Sequence, residues 1–280
     1  MITELNKNIR NFYDASSPVW EEVWGEHMHH GHYGIDGSEK KENYRAQLDL
    51  IDELIEWGEI NEANQILDIG CGIGGSSFYP TRKYKANVTG ITLSPVQANR
   101  ARERAFESGL DKLTHFMATD VLTTEFIKNS FDLVWALESA EHIPMKYQFL
   151  KICESILQPG GKLIMVAWCR RPVPPDLSPR EDNLLKKLYR SFHLPDMISI
   201  EQYSEFASQV RFSDIHISDW TAAVLPFWPA VIRSTIKIKS LKGIIKAGRQ
   251  TIRGALAMRY MIRGQKSGLI KYGVLKATKK

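Results

Sequence analysis

The stretch Ile66-Leu67-Asp68-Ile69-Gly70-Cys71-Gly72-Ile73-Gly74-Gly75 reads as a short buried strand that breaks into a glycine-dense turn and opens a helix. Glycine lacks a Cβ and tolerates positive φ, so such a turn lets the backbone approach a ligand closely. The glycines fall as G-x-G-x-G at Gly70, Gly72 and Gly74. A dinucleotide site has G-x-G-x-x-G, with a pyrophosphate on the helix N-terminus. Gly75 could supply that third glycine, so glycine spacing alone does not decide. Asp68 does more. A carboxylate just before the first glycine suits a ligand or turn carrying positive charge, not a phosphate. An ammonium and a sulfonium on one molecule meet that condition, which points to S-adenosylmethionine.

The next strand agrees. A dinucleotide site needs an Asp or Glu about 20 residues on to grip the ribose. Here Asn87-Val88-Thr89-Gly90-Ile91-Thr92-Leu93 carries no acid. That weakens a dehydrogenase reading. It also departs from many S-adenosylmethionine enzymes, which place an acid there. Ribose contacts then fall to Thr92, backbone groups and Gln97.

Outward from this point, strands and helices alternate. Strands are expected at 65–70, 87–93, about 114–119, 131–137 and 162–168. Ser94-Pro95-Val96-Gln97 opens a helix as a capping box with Pro at the first helical position, and Gly109 closes it. A further helix brings Phe149, Cys153 and Ile156 inward, and Gln158-Pro159-Gly160-Gly161 reads as a turn. Such alternation predicts an α/β fold, a mainly parallel sheet with helices on both faces. Upstream, 3–24 and 39–57 read as helices, the second with Tyr44, Leu48, Ile51 and Ile55 on one face and Gly58 as its stop. Downstream, 180–192 reads as a helix and 213–219 and 268–276 as strands, which makes seven. Residues 226–267 are too many for a hairpin turn and are expected to be a helical insertion. The expected organisation is an N-terminal helical cap at 1–58, a cofactor-binding core at 59–170, and a substrate lid with the last strands of the same domain at 171–280.

A chain of 280 residues can bury a full core, and its 43% hydrophobic and 25% charged residues are those of an ordinary globular protein. No apolar run approaches the roughly 18 residues of a membrane span, and the start shows no signal-peptide core. Cys71, Cys153 and Cys169 are too few and too scattered for a disulfide frame or a zinc site, so a cytoplasmic location is expected. The net charge of +5 hides an asymmetry: from Trp220 to Lys280 there are 14 Lys or Arg and no Asp or Glu. In that stretch Lys242, Lys246, Arg249 and Arg253 share one helical face, and Leu241, Ile245, Ile252 and Leu256 another. The face suits a solvated lid helix, docking on an anionic membrane, or an acidic or diphosphate-bearing acceptor.

The alternation, the G-x-G-x-G turn and Pro159-Gly160-Gly161 together resemble class I, Rossmann-like S-adenosylmethionine methyltransferases over 60–168. A closer likeness runs along nearly the whole chain. Trp24-Gly25-Glu26-His27-Met28-His29-His30-Gly31, Leu93-Ser94-Pro95-Val96-Gln97, Leu137-Glu138-Ser139-Ala140-Glu141-His142 and Ala222-Ala223-Val224-Leu225-Pro226-Phe227-Trp228 resemble the tocopherol methyltransferase family. That likeness implies methyl transfer to a small lipophilic acceptor, a prenylated phenol methylated on a ring carbon. Relatives of the family methylate N or O of alkaloids and other natural products. The departures bear on the acceptor: Ala140 stands for the family's glycine, Arg170 for a histidine and His193 for a cysteine. Pro80 is expected to interrupt the helix after the glycine turn.

The expected cofactor contacts are Asp68, Gly70, Gly72 and Gly74 at the turn and Thr92, Leu93 and Gln97 at the second strand. The resemblance adds Asp120 on the adenine amino group, with Val121 and Leu137 beside the cofactor. The alternative for Asp120 is a helix cap. Glu138 and His142 follow strand four, beside the expected methyl group. Ring methylation needs the phenol, of pKa near 10, to lose its proton, so a positioned base helps. His142 is the first candidate and Glu138 the second. Both could instead hold a loop or orient cofactor, with in-line positioning supplying the rate. Four histidines within 27–32 invite a metal reading, but nothing else completes a recognisable site and none is expected. The alternative is a flap, hinged at Gly31 and Gly34, that lays Tyr33 on the cofactor's methionine end. Trp24, His193, Phe227 and Trp228 are the expected acceptor contacts; the aromatic ones could equally be plain core.

Two other functions compete. A nucleic-acid methyltransferase would use the basic tail, but strand four ends in Leu137-Glu138-Ser139 rather than an Asn-Pro-Pro-Tyr type sequence, and no RNA-binding motif is present. No nucleic-acid partner is expected. A non-catalytic cofactor-sensing module would have no use for the Glu138–His142 segment.

Overall fold

A computed structural model describes residues 4–235 and 248–280, without the side chains of 23, 233–235 and 248–256. Its elements run α1 (Glu4–Trp24), α2 (Asn43–Trp57), β1 (Gln65–Ile69), α3 (Gly75–Tyr84), β2 (Asn87–Thr92), α4 (Pro95–Glu107), β3 (Thr114–Ala118) and β4 (Phe131–Leu137). A 3-10 turn (Ala140–His142) precedes α5 (Lys146–Ile156), β5 (Leu157–Arg170), α6 (Pro179–Phe192), α7 (Ile200–Gln209) and β6 (Phe212–Asp219). The chain ends with α8 (Thr221–Val224), α9 (Phe227–Thr235), α10 (Gly248–Lys266) and β7 (Ile270–Lys279).

The seven strands form one sheet in the order β3-β2-β1-β4-β5-β7-β6. The pairs from β3 to β5 are parallel, and β7 lies antiparallel between β5 and β6. This is the Rossmann-like fold of class I methyltransferases. Strand order reverses between β1 and β4, so the crevice at their carboxyl ends is where such a sheet binds ligands. The core divides across the sheet. On one face Leu50, Leu54 and Trp135 pack with the aromatic residues of α1 and α9; on the other Phe149, Cys153 and Tyr203 pack with Leu163 and Met165.

Local signals placed most elements. Ser94 Oγ accepts from the Gln97 N–H at 3.0 Å, with Pro95 at the first helical position. Only half of the expected capping box forms, because the Gln97 side chain is held by Thr92 and Ser17 instead. Full boxes open α6 at Ser178/Glu181 and α7 at Ser199/Gln202. The periodicity reading did not separate α7. Pro80 does not interrupt α3, which continues through it. A proline costs the helix the bond to the carbonyl four residues back, here Ser76 in the first turn, so little is lost. Gln158–Gly161 is not a turn ahead of β5. Phe131 pairs with Leu157 and Leu133 with Lys162, so these residues bulge out of a strand that starts earlier.

The described parts of the 226–267 insertion are helical. The basic face at 242–253 and its apolar counterpart at 241–256 lie outside the residues whose side chains are described. Among the described residues no helix is long and apolar enough to cross a membrane.

Candidate active site

The carboxyl ends of β1, β2 and β4 floor a cleft roofed by one face of α1. The glycine turn forms one wall. Gly70 and Gly72 have φ of +83° and +55°. The N–H groups of Gly70 and Cys71 both donate to the Ile91 carbonyl, at 2.8 and 3.0 Å, which ties the turn to β2. A Cβ on Gly70 would overlap the Ser139 side chain, whereas one on Gly72 would meet only Met28 Sδ, at 4.0 Å. Gly72 therefore offers bare backbone to the cleft. Gly74 does not line the cleft; a Cβ there would run into the Phe78 ring, at 2.8 Å.

Asp68 lies beneath the turn, 1% exposed. Its Oδ2 accepts from Ser76 and Ser77 Oγ at 2.9 and 2.6 Å, and its Oδ1 has no partner among the described residues. Burial pushes its carboxyl up to about 6, against the pull of the two hydroxyls. Asp68 does not itself line the cleft; it braces the turn from beneath through Ser76, which does, and a buried acid in that place suits a ligand bearing an ammonium group. That is the fit expected of the methionine end of S-adenosylmethionine.

At β2, Thr92 Oγ1 donates to Gln97 Oε1 at 2.7 Å. Thr92, Leu93 and Gln97 all line the cleft, as do Asp120, Val121 and Leu137. Asp120 is already engaged: Oδ2 accepts from Asn6 Nδ2 at 2.6 Å and Oδ1 from the Leu122 N–H at 2.9 Å. Sequence reading missed Asn6. With Ile9 and Tyr13 it follows a 3, 4 spacing, so α1 presents all three to the cleft.

Glu138 and His142 stand together at the end of β4, and both line the cleft. Their chemistry differs. Glu138 has a φ of +54° and is held by four donors. Oε1 accepts from the His30 N–H (2.6 Å) and the Tyr272 hydroxyl (2.6 Å), and Oε2 from His30 Nδ1 (2.7 Å) and Trp168 Nε1 (3.1 Å). Burial pushes this carboxyl up, but His30 and the other donors outweigh it and hold it at about 2. With every lone pair engaged, Glu138 is a clasp rather than a base.

His142 is held neutral, its pKa lowered to about 3 by burial first and then by Lys146 and His193. Lys146 Nζ donates to the carbonyls of Ala140 and Glu141, both at 2.8 Å, and so fixes the turn that carries His142. His142 Nε2 lies 2.9 Å from the Tyr13 hydroxyl, and Nδ1 is buried without a partner among the described residues. Tyr13, raised by burial and by Glu141, stays protonated. In the tautomer with Nε2–H donating to Tyr13, Nδ1 keeps a lone pair able to take a proton.

The expected flap is a buried strap across one side of the cleft. Gln47 Nε2 donates to the carbonyls of His27 (2.7 Å) and His29 (3.0 Å), and Glu138 takes His30. Met28 and His29 line the cleft. Tyr33 does not: its N–H donates to the Ala223 carbonyl (2.8 Å) and its hydroxyl to Asn43 Oδ1 (3.1 Å), which turns it toward α2. Among the described residues no cluster of His, Cys, Asp or Glu is placed to hold a metal.

Trp24, His193, Phe227 and Trp228 do not line the cleft either. They belong to an aromatic layer behind Glu138. His30 packs on Phe227 (4.4 Å between ring centres) and Trp228 (5.1 Å), Trp24 stacks on Trp20 (4.9 Å), and His193 meets Phe12 (5.9 Å).

Residues 67–165 match the family model described as "Methyltransferase domain". The chain is 42% identical to "Probable tocopherol O-methyltransferase, chloroplastic" of Oryza sativa subsp. japonica, over 98% of this chain and 78% of that protein. It is 40% identical to "Tocopherol O-methyltransferase, chloroplastic" of Arabidopsis thaliana, over 98% and 82%. The crystal structure of geranyl diphosphate C-methyltransferase from Streptomyces coelicolor A3(2) superposes with a TM-score of 0.78, at 20% identity, over 99% of each chain, and shares its fold. Glycine turn, buried acid and full-length likeness converge: the chain belongs to the tocopherol methyltransferase-like family of class I methyltransferases, enzymes with S-adenosylmethionine as cofactor.

Proposed function

We propose that this enzyme transfers the methyl group of S-adenosylmethionine to a prenylated phenol of the tocopherol type. The observation that carries the reading is the His142–Tyr13 pair at the cleft, a neutral imidazole with one unpaired nitrogen beside a tyrosine that keeps its proton. S-adenosylmethionine supplies an electrophilic methyl when bound. The chain must then orient the acceptor and receive its phenolic proton. His142 Nδ1 takes that proton. Its conjugate acid, at about 3, is too strong for phenolate to accumulate beforehand, so the proton moves as the new bond to methyl forms. Tyr13 holds the ring in register, and Glu138 keeps the strap closed and water out.

The acceptor's prenyl chain belongs in a bilayer. The 14 Lys or Arg and absence of acid between 220 and 280 suit docking on an anionic lipid surface.

The test is incubation with methyl-labelled S-adenosylmethionine and a panel of prenylated phenols, indoles, amines and hydroxylated natural products, read by mass spectrometry. Label on the prenylated phenols supports the proposal, and fragmentation places it on carbon or oxygen. Label only on indole or amine substrates overturns it.

A further inference from the structure

The roof of the cleft is bonded to its floor at residues that line it. Along α1, Asn6 Nδ2 donates to Asp120 Oδ2 at 2.6 Å, the Tyr13 hydroxyl lies 2.9 Å from His142 Nε2, and Ser17 Oγ accepts from Gln97 Nε2 at 2.9 Å. Asn6 is the one whose place in the cleft has no role so far. It is 6% exposed and still lines the cleft, on the same helix face as Ile9. Val121 and Leu122 line the cleft beside Asp120. An amide and a carboxylate thus share a corner walled by apolar side chains. A carboxylate only accepts, which sets the amide nitrogen against it, and its two oxygens offer about four lone-pair positions. Asn6 and the Leu122 N–H take one on each oxygen. The carboxylate can therefore still accept from a donor in the cleft.

We propose that Asn6 is a cofactor-binding residue and that, together with Asp120, it selects the 6-amino group of the adenine ring. The glycine turn and the family fix the cofactor; the inference adds a contact from the first helix, outside the sheet. Adenine has flat apolar faces and an amino group on its edge. Ile9, Val121 and Leu122 suit the faces, and the Asn6–Asp120 pair suits the edge. Asparagine matches adenine because its amide presents an acceptor for the 6-amino group beside a donor for a ring nitrogen. Asn6 also holds the Asp120 carboxylate in place from the side opposite the sheet, while the Leu122 N–H, at 2.9 Å, holds it from its own loop. Asn6 belongs to α1 and Asp120 follows β3, so the adenine corner is complete only with α1 seated on the floor. Cofactor binding and the seating of α1 then reinforce each other by the same factor.

The test reads binding without turnover. S-adenosylhomocysteine, and its analogue with hydrogen in place of the adenine 6-amino group, are titrated by calorimetry into the full-length enzyme and into Asn6→Leu. Leucine keeps the size of the side chain and removes its polar atoms. The wild type should prefer S-adenosylhomocysteine by about 10-fold or more. Asn6→Leu should bind it about 5- to 10-fold more weakly, the loss of one hydrogen bond, and bind the analogue within about 2-fold of wild type. Asn6→Ala repeats the measurement with the best helix former should leucine disturb the fold. Equal losses for both ligands overturn the proposal, since a merely structural role for Asn6 cannot sense the amino group. Tighter binding of S-adenosylhomocysteine by the variants also overturns it, because Asn6 would then compete with adenine for Asp120. Amide exchange at the start of α1 should slow when S-adenosylhomocysteine binds and slow less with the analogue; equal slowing with both ligands counts against it. No acceptor enters the experiment, so its failure leaves the phenol reading standing, and failure of the phenol reading leaves Asn6 in place.

Discussion

Replacing Glu138 by Gln tests the clasp at the centre of this fold. The carboxylate receives four hydrogen bonds, two of them from His30. Glutamine keeps one oxygen and puts an NH2 group against two donors. Hydrogen bonds to a charged group are worth about 1.5–3 kcal/mol each, and two of the four lose their acceptor. Titration gives a second route to the magnitude. The carboxyl is held at about 2 against an ordinary 4.5, a gap worth about 3 kcal/mol. A depressed carboxylate stabilises the fold fully above its unfolded pKa. That contribution begins to fade below pH 4.5 and is lost as pH falls through about 2. Urea unfolding of both proteins at pH 7, 5, 4 and 3.5 isolates this group, because every other carboxylate is common to the pair. The variant should be about 3 kcal/mol less stable at pH 7 and 5, with the gap narrowing by about 1 kcal/mol at pH 3.5. A gap below 1 kcal/mol at pH 7, or one that ignores pH, would mean that Glu138 is not an ionised clasp.

Three more outcomes follow from the same geometry. Gly72→Asp places a Cβ and a negative charge where the backbone opens to the cleft at φ +55°, so calorimetry should find S-adenosylhomocysteine affinity down by about 100-fold or more; wild-type affinity would remove Gly72 from the site. His142→Ala should lower kcat by about 10²- to 10⁴-fold with cofactor affinity within a few-fold of wild type, and unchanged turnover would exclude it from proton transfer. Ser94→Ala removes the α4 cap at Gln97 and the bond to Asp14 on α1; stability should fall by about 1–2 kcal/mol in urea, and a loss within error would show the cap to be redundant.

The parts of the site visible in the sequence were those built from neighbours. The strand–turn–helix around Gly70, Gly72 and Asp68 rests on backbone conformation and on Ser76 and Ser77 nearby. Thr92, Ser94 and Gln97 bond to one another across a single helix start. Hydrogen bonds over a few residues leave a pattern in spacing, and the alternation of strand and helix follows from the same short periods.

Tertiary structure decided the rest. The sequence carries Glu138 as a candidate base, but its partners arrive from positions 108, 30 and 134 residues away, and only their convergence makes it a clasp. Asn6 reaches Asp120 across 114 residues, and Tyr13 reaches His142 across 129. Tyr33 was expected over the cofactor and lies elsewhere because α2 and Ala223 hold it. Trp24, Phe227 and Trp228 read as acceptor contacts or core with equal ease. Hydrophobic pattern tells which side chains are buried, not what they are buried against. By itself the sequence determined the parallel sheet, the cofactor turn and the family, because each is written in local conformation. Which carboxylate is ionised, which histidine is neutral and where an acceptor ring can enter depend on burial and on distant donors, and those exist only once the sheet has closed.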